Sequence, residues 1–137
     1  FEGINDIGIG YAPKNGPMAR FLPPNAGPPP TAEDLIAGFR QMIARAHERG
    51  VKIYGATISP YEGAAYASPQ GEKVREAVNA WIRSSHAFDG VLDFDAAFRD
   101  PAHPTQMRPG YHAGDHLHGS DAGYRAVADS IDLSLFK

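Results

Sequence analysis

Near its C-terminal end the chain reads Gly114-Asp115-His116-Leu117-His118, continuing as Gly119-Ser120-Asp121-Ala122-Gly123-Tyr124-Arg125. This stretch places an acid three residues before a histidine, on a turn that leads into an amphipathic helix. A carboxylate fixed beside an imidazole keeps one ring nitrogen protonated and leaves the other to act as a base. The spacing therefore predicts that Asp115 orients His118 to take a proton from a nucleophile.

Upstream of this stretch, helix and strand signals alternate. A first helix is predicted to begin at Thr31, which forms an approximate capping box with Asp34. The largely apolar run 51–58 is typical of a buried parallel strand. Ser68 followed by Pro69 predicts the N-cap and first position of another helix, whose charged residues, Arg75 among them, should lie largely off its apolar face.

The pattern continues after Gly90. Residues 91–94 predict a short strand, 95–100 a turn or brief helix, and Ser120 caps a helix expected from Asp121 to about Leu133. Four residues of that last helix are expected to face inward: Tyr124, Val127, Ala128 and Ile131. Alternation of this kind predicts an α/β fold with right-handed crossovers and a parallel sheet covered on both faces.

The N-terminal region gives weaker signals. Phe1 to Asn5 is interpreted as the tail of a strand. The run 7–10 and the Pro/Gly-rich loop 11–30 are expected to hold neither a regular helix nor a central strand. A loop of this length is often functional, so a lid or substrate-facing rim and a surface excursion without a role are both open.

Two blocks resemble one known family. Gly3-Ile4-Asn5-Asp6 reads like the G-x-N-D block of the SGNH (GDSL-type) esterases and lipases, and Asp115 with His118 reads like their D-x-x-H block. The resemblance implies a three-layer α/β/α domain with a parallel, flavodoxin-like sheet. It also implies that Asn5 donates a hydrogen bond to the oxyanion, a contact that can lower a barrier by about 3–4 kcal/mol.

The family's serine-bearing G-D-S block and its oxyanion glycine block are not in this sequence. The 137 residues are therefore interpreted as one partial domain, the C-terminal half of an SGNH hydrolase whose N-terminal strands are missing. The resemblance then implies that the nucleophilic serine belongs to an N-terminal half, present as a separate or cleaved chain, and that this chain alone does not hydrolyse esters. The open sheet edge left by such a gap should be covered by a second polypeptide, by the rest of a longer parent chain or by a domain swap.

The serines of the chain support this interpretation. Ser68 and Ser120 look like helix caps, and Ser84, Ser85, Ser130 and Ser134 belong to the ends or body of helices. Ser59 follows a strand, but Pro60 denies it the strand-to-helix elbow that a nucleophile prefers. No cofactor is predicted, and the substrate is expected to be a small-molecule ester. Phe21, Leu22, Tyr61 and Tyr66 are expected on a rim that would admit acyl chains, aryl esters or acetylated sugars.

Composition excludes several other classes. Apolar residues at 42% and charged residues at 21% are ordinary for a folded globular protein. The formal net charge of −3 argues against a nucleic-acid partner, and no apolar run is long enough to predict a membrane span. Since there is no cysteine, disulfides and thiol nucleophiles are excluded. The compartment does not follow from composition. Residues 2–8 and 114–118 resemble a branch of the family whose members look like secreted or envelope carboxylesterases of bacteria, and this resemblance implies a secreted or periplasmic location.

Four alternatives remain open for the residues of the two blocks and the neighbouring histidines. His116 and His118, with Asp115, His103 and His112 nearby in sequence, could bind zinc or another metal ion. The Asp115–His118 pair could merely secure a loop, and Asn5 with Asp6 could cap a turn with their own side chains. Finally, the chain could be a non-catalytic relative that keeps the scaffold for binding.

Overall fold

The computed structural model describes residues 2–22 and 24–137. In chain order it contains α1 (Ile4–Gly10), α2 (Ala32–His47), β1 (Tyr54–Ala56), α3 (Pro69–Ser84), β2 (Gly90–Leu92), α4 (Phe94–Phe98) and α5 (Asp121–Asp129). Short 3₁₀ helices cover Pro17–Phe21 and Leu133–Phe136. Within the described residues β1 and β2 form a two-stranded parallel sheet, in which Tyr54 pairs with Gly90 and Ala56 with Leu92. The mixture of helices with a small parallel sheet is the α/β class that the alternating pattern predicts.

The predicted helix starts are confirmed by their caps. Thr31 and Asp34 form a reciprocal capping box, in which the Thr31 Oγ1 accepts from the Asp34 N–H and the Asp34 carboxylate accepts from the Thr31 N–H. The hydroxyls of Ser68 and Ser120 each accept an N–H three residues further on. These bonds satisfy amide groups that a helix start would otherwise leave without partners.

The N-terminal prediction is wrong in its secondary structure. Ile4 and Asn5 of the predicted strand tail and the run 7–10 belong to α1, and Phe1 lies outside the described residues. Gly3 adopts a left-handed φ of 113° and turns the chain into this helix. Ile7 is fully buried, and Gly8 lies so close to an aromatic ring that a Cβ there would stand 2.3 Å from Cδ2 of Tyr66. Tertiary packing therefore overrides the weak helix propensity of this glycine-rich run.

Other boundaries and faces also differ from prediction. The strand expected over 51–58 is shortened to the three residues that pair with β2. The final helix ends at Asp129 rather than near Leu133. Two of the residues expected to face inward, Tyr124 and Ala128, are exposed. Gly123 is buried instead, and it packs so closely against Tyr111 that a Cβ there would lie 2.2 Å from the Tyr111 carbonyl oxygen. The Pro/Gly-rich loop 11–30 holds the first 3₁₀ helix.

The core lies where α1, α2 and α3 pack together beside the strands. α3 contacts both α1 and α2. The buried residues of the core are mainly aliphatic and aromatic: Ile7, Phe39, Ile58, Tyr61, Tyr66, Val78 and Ile82. Trp81 stacks on Phe39 with ring centroids 6.4 Å apart. This core fixes α1 and the segment after β1, and both contribute residues to the candidate site.

Candidate active site

Asp115 and His118 lie on a closed loop between residues 110 and 120. Two backbone bonds close the loop: the Ala113 N–H donates to the His118 carbonyl at 2.8 Å, and the Ser120 N–H donates to the Tyr111 carbonyl at 2.8 Å. The Ser120 Oγ also donates to the Gly110 carbonyl at 2.6 Å. Because these bonds link the two sides of the loop, its tip is held at a defined place beyond the strands.

The carboxylate of Asp115 organises the tip. Its Oδ1 accepts the N–H groups of Leu117 and His118, each at 3.0 Å. Its Oδ2 lies 2.6 Å from Nδ1 of His118, which is the separation of a charge-assisted bond. The bond from the His118 ring, together with the His118 backbone N–H, holds the pKa of Asp115 well below its usual range.

This geometry determines what the His118 ring can do. An ionised Asp115 accepts but cannot donate, so it favours the imidazole tautomer with hydrogen on Nδ1. Nε2 is then the basic nitrogen. The side chains of His118 and Asp115 are 68% and 47% exposed, so the ring is accessible from outside.

Asn5 reaches the same region from the first turn of α1. The hydroxyl of Tyr66 donates to Asn5 Oδ1 at 2.9 Å. With its oxygen occupied in this way, the amide has its Nδ2 hydrogens available for a ligand. Tyr66 is only 5% exposed and fills the notch at Gly8, so a rigid part of the core fixes this donor.

A small pocket of about 110 Å³ joins these groups. Its lining includes Asn5, Tyr66 and His118, together with Ser59, Phe98 and Leu117. The structure thus brings together the side chains of the two separate sequence blocks, although Asn5 stands on a helix and not directly after a strand. Asp115 adjoins the pocket through its bond to His118.

Comparison with known proteins identifies the family of the chain. A family model described as the GDSL-like Lipase/Acylhydrolase family matches residues 1–126. The chain belongs to this family. Among curated proteins, none matches it. Membership in the GDSL-like family suggests ester hydrolase activity in general.

In this GDSL-like chain, Ser59 forms part of the pocket wall but is only 4% exposed. The segment just before it is clamped by Asn79: its Oδ1 accepts the Ile58 N–H at 2.7 Å, and its Nδ2 donates to the Ile58 carbonyl at 2.8 Å. Nη1 of Arg75 donates to the same carbonyl at 2.8 Å. The backbone after β1 is therefore held rigidly by α3.

A buried charge network joins α3 to the segments that follow both strands, and the sequence did not reveal it. Arg75 is 3% exposed, against the expectation that it lies off the buried face, because its Nη1 also donates to Asp95 Oδ1 at 2.7 Å. Asp95 is 1% exposed and also accepts from Arg83 and Arg99. Burial opposes ionisation of Asp95, but bonds from Arg99 and Arg83 prevail and lower its pKa. The Asp95 N–H donates to Thr57 Oγ1, so the network joins the ends of both strands.

Asp93 belongs to the exposed edge of the same network. Its carboxylate accepts from Arg83 at 2.9 and 2.7 Å and from the Thr57 hydroxyl at 2.8 Å. Partial burial works against its ionisation, yet the bonds from Arg83 and Thr57 lower the pKa of Asp93 from an ordinary value of 3.8 to about 2. A local signal for this network would have been the spacing of Asp93 and Asp95 directly after a strand.

Beside Asn5 lies a wide groove of about 1300 Å³. It runs between α1 and the Pro/Gly-rich loop, with Ile9, Leu22 and Pro24 among its apolar walls and Lys14 at its rim. Tyr61 and Tyr66, expected on a rim, are instead buried in the core. The groove and the small pocket share Asn5, so a molecule bound at Asn5 could extend into the groove.

The metal alternative gains no support from the geometry. Across residues 2–22 and 24–137, no group of three or more His, Asp or Glu side chains is arranged to hold a metal ion. Nδ1 of His112 is turned to backbone N–H groups, and Nδ1 of His118 to Asp115. In the same described part of the chain, no helix has the length and apolar character needed to cross a membrane.

Proposed function

We propose that this chain supplies the base, the orienting acid and an oxyanion donor to a carboxylic ester hydrolase of the serine type. His118 is the base, Asp115 the orienter and Asn5 the donor. The single observation that carries the proposal is that His118, paired with Asp115 at 2.6 Å, lines the same small pocket as Asn5. A pair that merely secured a loop would not need an amide donor across a shared pocket.

The chemistry follows from these positions. Nε2 of His118 takes the proton of a serine hydroxyl as its oxygen attacks the ester carbonyl. The carbonyl π electrons move onto oxygen, and Asn5 Nδ2 donates to the developing oxyanion. When the tetrahedral intermediate collapses, the C–O bond to the alcohol breaks and the imidazolium returns its proton to the leaving oxygen. Water then repeats the cycle on the acyl-enzyme, releasing the acid.

We further propose that the serine is contributed by a polypeptide segment outside these 137 residues, one that carries the family's G-D-S block. The helix-cap bonds of Ser68 and Ser120 support this, because they commit those hydroxyls elsewhere. Ser59 is nearly buried and is followed by Pro60. The added segment would extend the sheet beyond β1 and complete a three-layer α/β/α domain with a flavodoxin-like sheet.

The test is hydrolysis of a short-chain p-nitrophenyl ester, combined with labelling by a fluorophosphonate. The chain alone is expected to show neither serine-dependent turnover nor label. Addition of a G-D-S-containing N-terminal half is expected to restore both, with the label on the added half. Turnover by the chain alone that disappears in Ser59→Ala would contradict the external serine and assign the nucleophile to Ser59.

A second candidate is a non-catalytic binding relative of the fold, favoured by the lack of a G-D-S serine in the sequence. It differs in its expected result, since such a protein would take no fluorophosphonate label in any combination of chains. Its ligand would still occupy the pocket at Asn5, and binding would survive His118→Ala.

A further inference from the structure

The ring of His112 lies inside the loop that carries Asp115 and His118. Its Nδ1 accepts the Gly114 N–H at 3.1 Å and the His116 N–H at 3.3 Å. Both donors belong to the loop tip, on either side of Asp115. An Nδ1 that accepts two N–H groups carries no hydrogen, so the neutral ring has its proton on Nε2.

The tip needs such support because part of its backbone is strained. His116 has a φ of 59°, in the left-handed region that a side chain with a Cβ rarely adopts, and Gly114 has a φ of 101°. His116 directly follows Asp115. Its conformation therefore determines whether the next two N–H groups, those of Leu117 and His118, point at Asp115 Oδ1.

Packing of the ring also holds His116 in place. The imidazoles of His112 and His116 stack with centroids 4.0 Å apart and planes 25° from parallel. On the other side, His116 packs against the backbone at Gly63, where a Cβ would stand 2.8 Å from its Cγ. His116 is thus held between His112 and the segment that follows β1.

We infer that His112 is a positioning residue whose unprotonated Nδ1 fixes the loop tip and so aims the Asp115–His118 pair. The structural part of this inference stands alone, and its consequence for ester hydrolysis rests on the proposed function. His112 touches neither the pocket nor the reacting atoms. It acts through His116 and Asp115.

A pair of variants separates the acceptor from the bulk of the ring. In His112→Asn, the side-chain Oδ1 stands the same number of bonds from Cα as Nδ1 and can accept the same N–H groups. In His112→Leu, similar bulk remains and the acceptor is lost. His103→Leu, at a histidine that is 66% exposed on the neighbouring loop, is the control.

The first readout is nitrogen-15 NMR of the histidine rings in the full chain. In the unchanged protein His112 should show hydrogen on Nε2 and His118 should show a low-field Nδ1 proton shared with Asp115. The low-field signal should persist in His112→Asn and disappear in His112→Leu. Hydrogen on Nδ1 of His112 in the unchanged protein would overturn the inference, and this observation does not depend on any variant folding. The inference would also fail if the low-field signal of His118 behaved alike in His112→Asn and His112→Leu.

The second readout is kinetics in the protein that contains the serine. His112→Leu should lower kcat by about 10²-fold, the cost of a displacement of about 1 Å in a catalytic group, with KM nearly unchanged. His112→Asn should recover most of that loss. Since the NMR result needs no ester hydrolysis, it separates failure of this inference from failure of the proposed function.

Discussion

The exchange of Asp115 for asparagine tests the proposed base directly. Asparagine keeps an oxygen where Oδ1 accepts the N–H groups of Leu117 and His118 at 3.0 Å, so the turn should remain. It replaces Oδ2, 2.6 Å from His118 Nδ1, by an NH₂ group. Two donors cannot pair, so Nδ1 must become the acceptor and Nε2 must take the proton. The ring then presents a donor where the mechanism needs a base.

The expected magnitudes differ sharply between activity and stability. Loss of the correct tautomer lowers kcat by about 10⁴-fold in Ser-His-Asp enzymes, which corresponds to about 5.4 kcal/mol of barrier. The side chains of Asp115 and His118 are 47% and 68% exposed. An exposed pair contributes only about 0–1 kcal/mol to folding. Asp115→Asn should therefore destroy activity while changing the free energy of unfolding by less than about 1 kcal/mol.

Three measurements check this prediction. Nitrogen-15 NMR should show His118 with hydrogen on Nε2 in Asp115→Asn and on Nδ1 in the unchanged chain. Urea unfolding, followed by fluorescence of Trp81, should give nearly equal stabilities. Ester hydrolysis in the presence of the serine-bearing half should fall steeply, whereas Asp129→Asn, at an exposed site on α5, should leave it unchanged. An Nδ1 proton that survives in Asp115→Asn would refute the reasoning.

Three further predictions concern the supports of the site. Tyr66→Phe removes the donor to Asn5 Oδ1 and should lower kcat by up to about 10²–10³-fold, the worth of one oxyanion donor, in steady-state kinetics. Asn79→Leu leaves the buried Ile58 N–H without that acceptor and should cost about 1–3 kcal/mol of unfolding free energy in urea. Because the pKa of Asp93 is lowered from 3.8 to about 2 in the folded state, its stabilisation is present above pH 3.8 and is lost as the pH falls toward 2. The urea midpoint of Asp93→Asn should therefore fall less than that of the unchanged chain as the pH is lowered from 3.8 to about 2.

Each of these has a matched control or an opposing result. Tyr54→Phe removes a hydroxyl that bonds the Leu135 carbonyl away from the pocket, and it should leave kcat unchanged. If Tyr54→Phe lowers kcat as much as Tyr66→Phe does, the loss of kcat in Tyr66→Phe does not come from a change in the orientation of Asn5. Asn25→Leu changes an exposed asparagine and should not alter stability in urea. If the urea midpoint of Asp93→Asn depends on pH as it does in the unchanged chain, the loss of stability in acid comes from protonation of another carboxylate.

Local signals in the sequence predicted local structure well. The caps at Thr31, Ser68 and Ser120 were confirmed because a cap involves groups only three residues apart. The contact between Asp115 and His118 likewise joins residues only three apart in the sequence. Their catalytic roles stay predictions.

Features that depend on distant partners were missed. The helix α1 could not be predicted from a glycine-rich run, because it is stabilised by the burial of Ile7 and by the fit of Gly8 against Tyr66. Arg75 was expected to lie largely off the apolar face of its helix, and its burial was missed because its partner Asp95 lies on a different element. In both cases the decisive contact joins residues on different elements, far apart in the sequence.

The ring of Tyr66 fills the notch at Gly8, and its hydroxyl donates to Asn5 Oδ1. A single side chain thus serves both the compactness of the protein and the direction of an amide. A residue with a Cβ at position 8 would push the ring away, and the amide would turn with it. Substitutions at Gly8 selected for thermal stability would consequently lower turnover. Compensating changes should be sought around residue 66 rather than within the loop that bears His118.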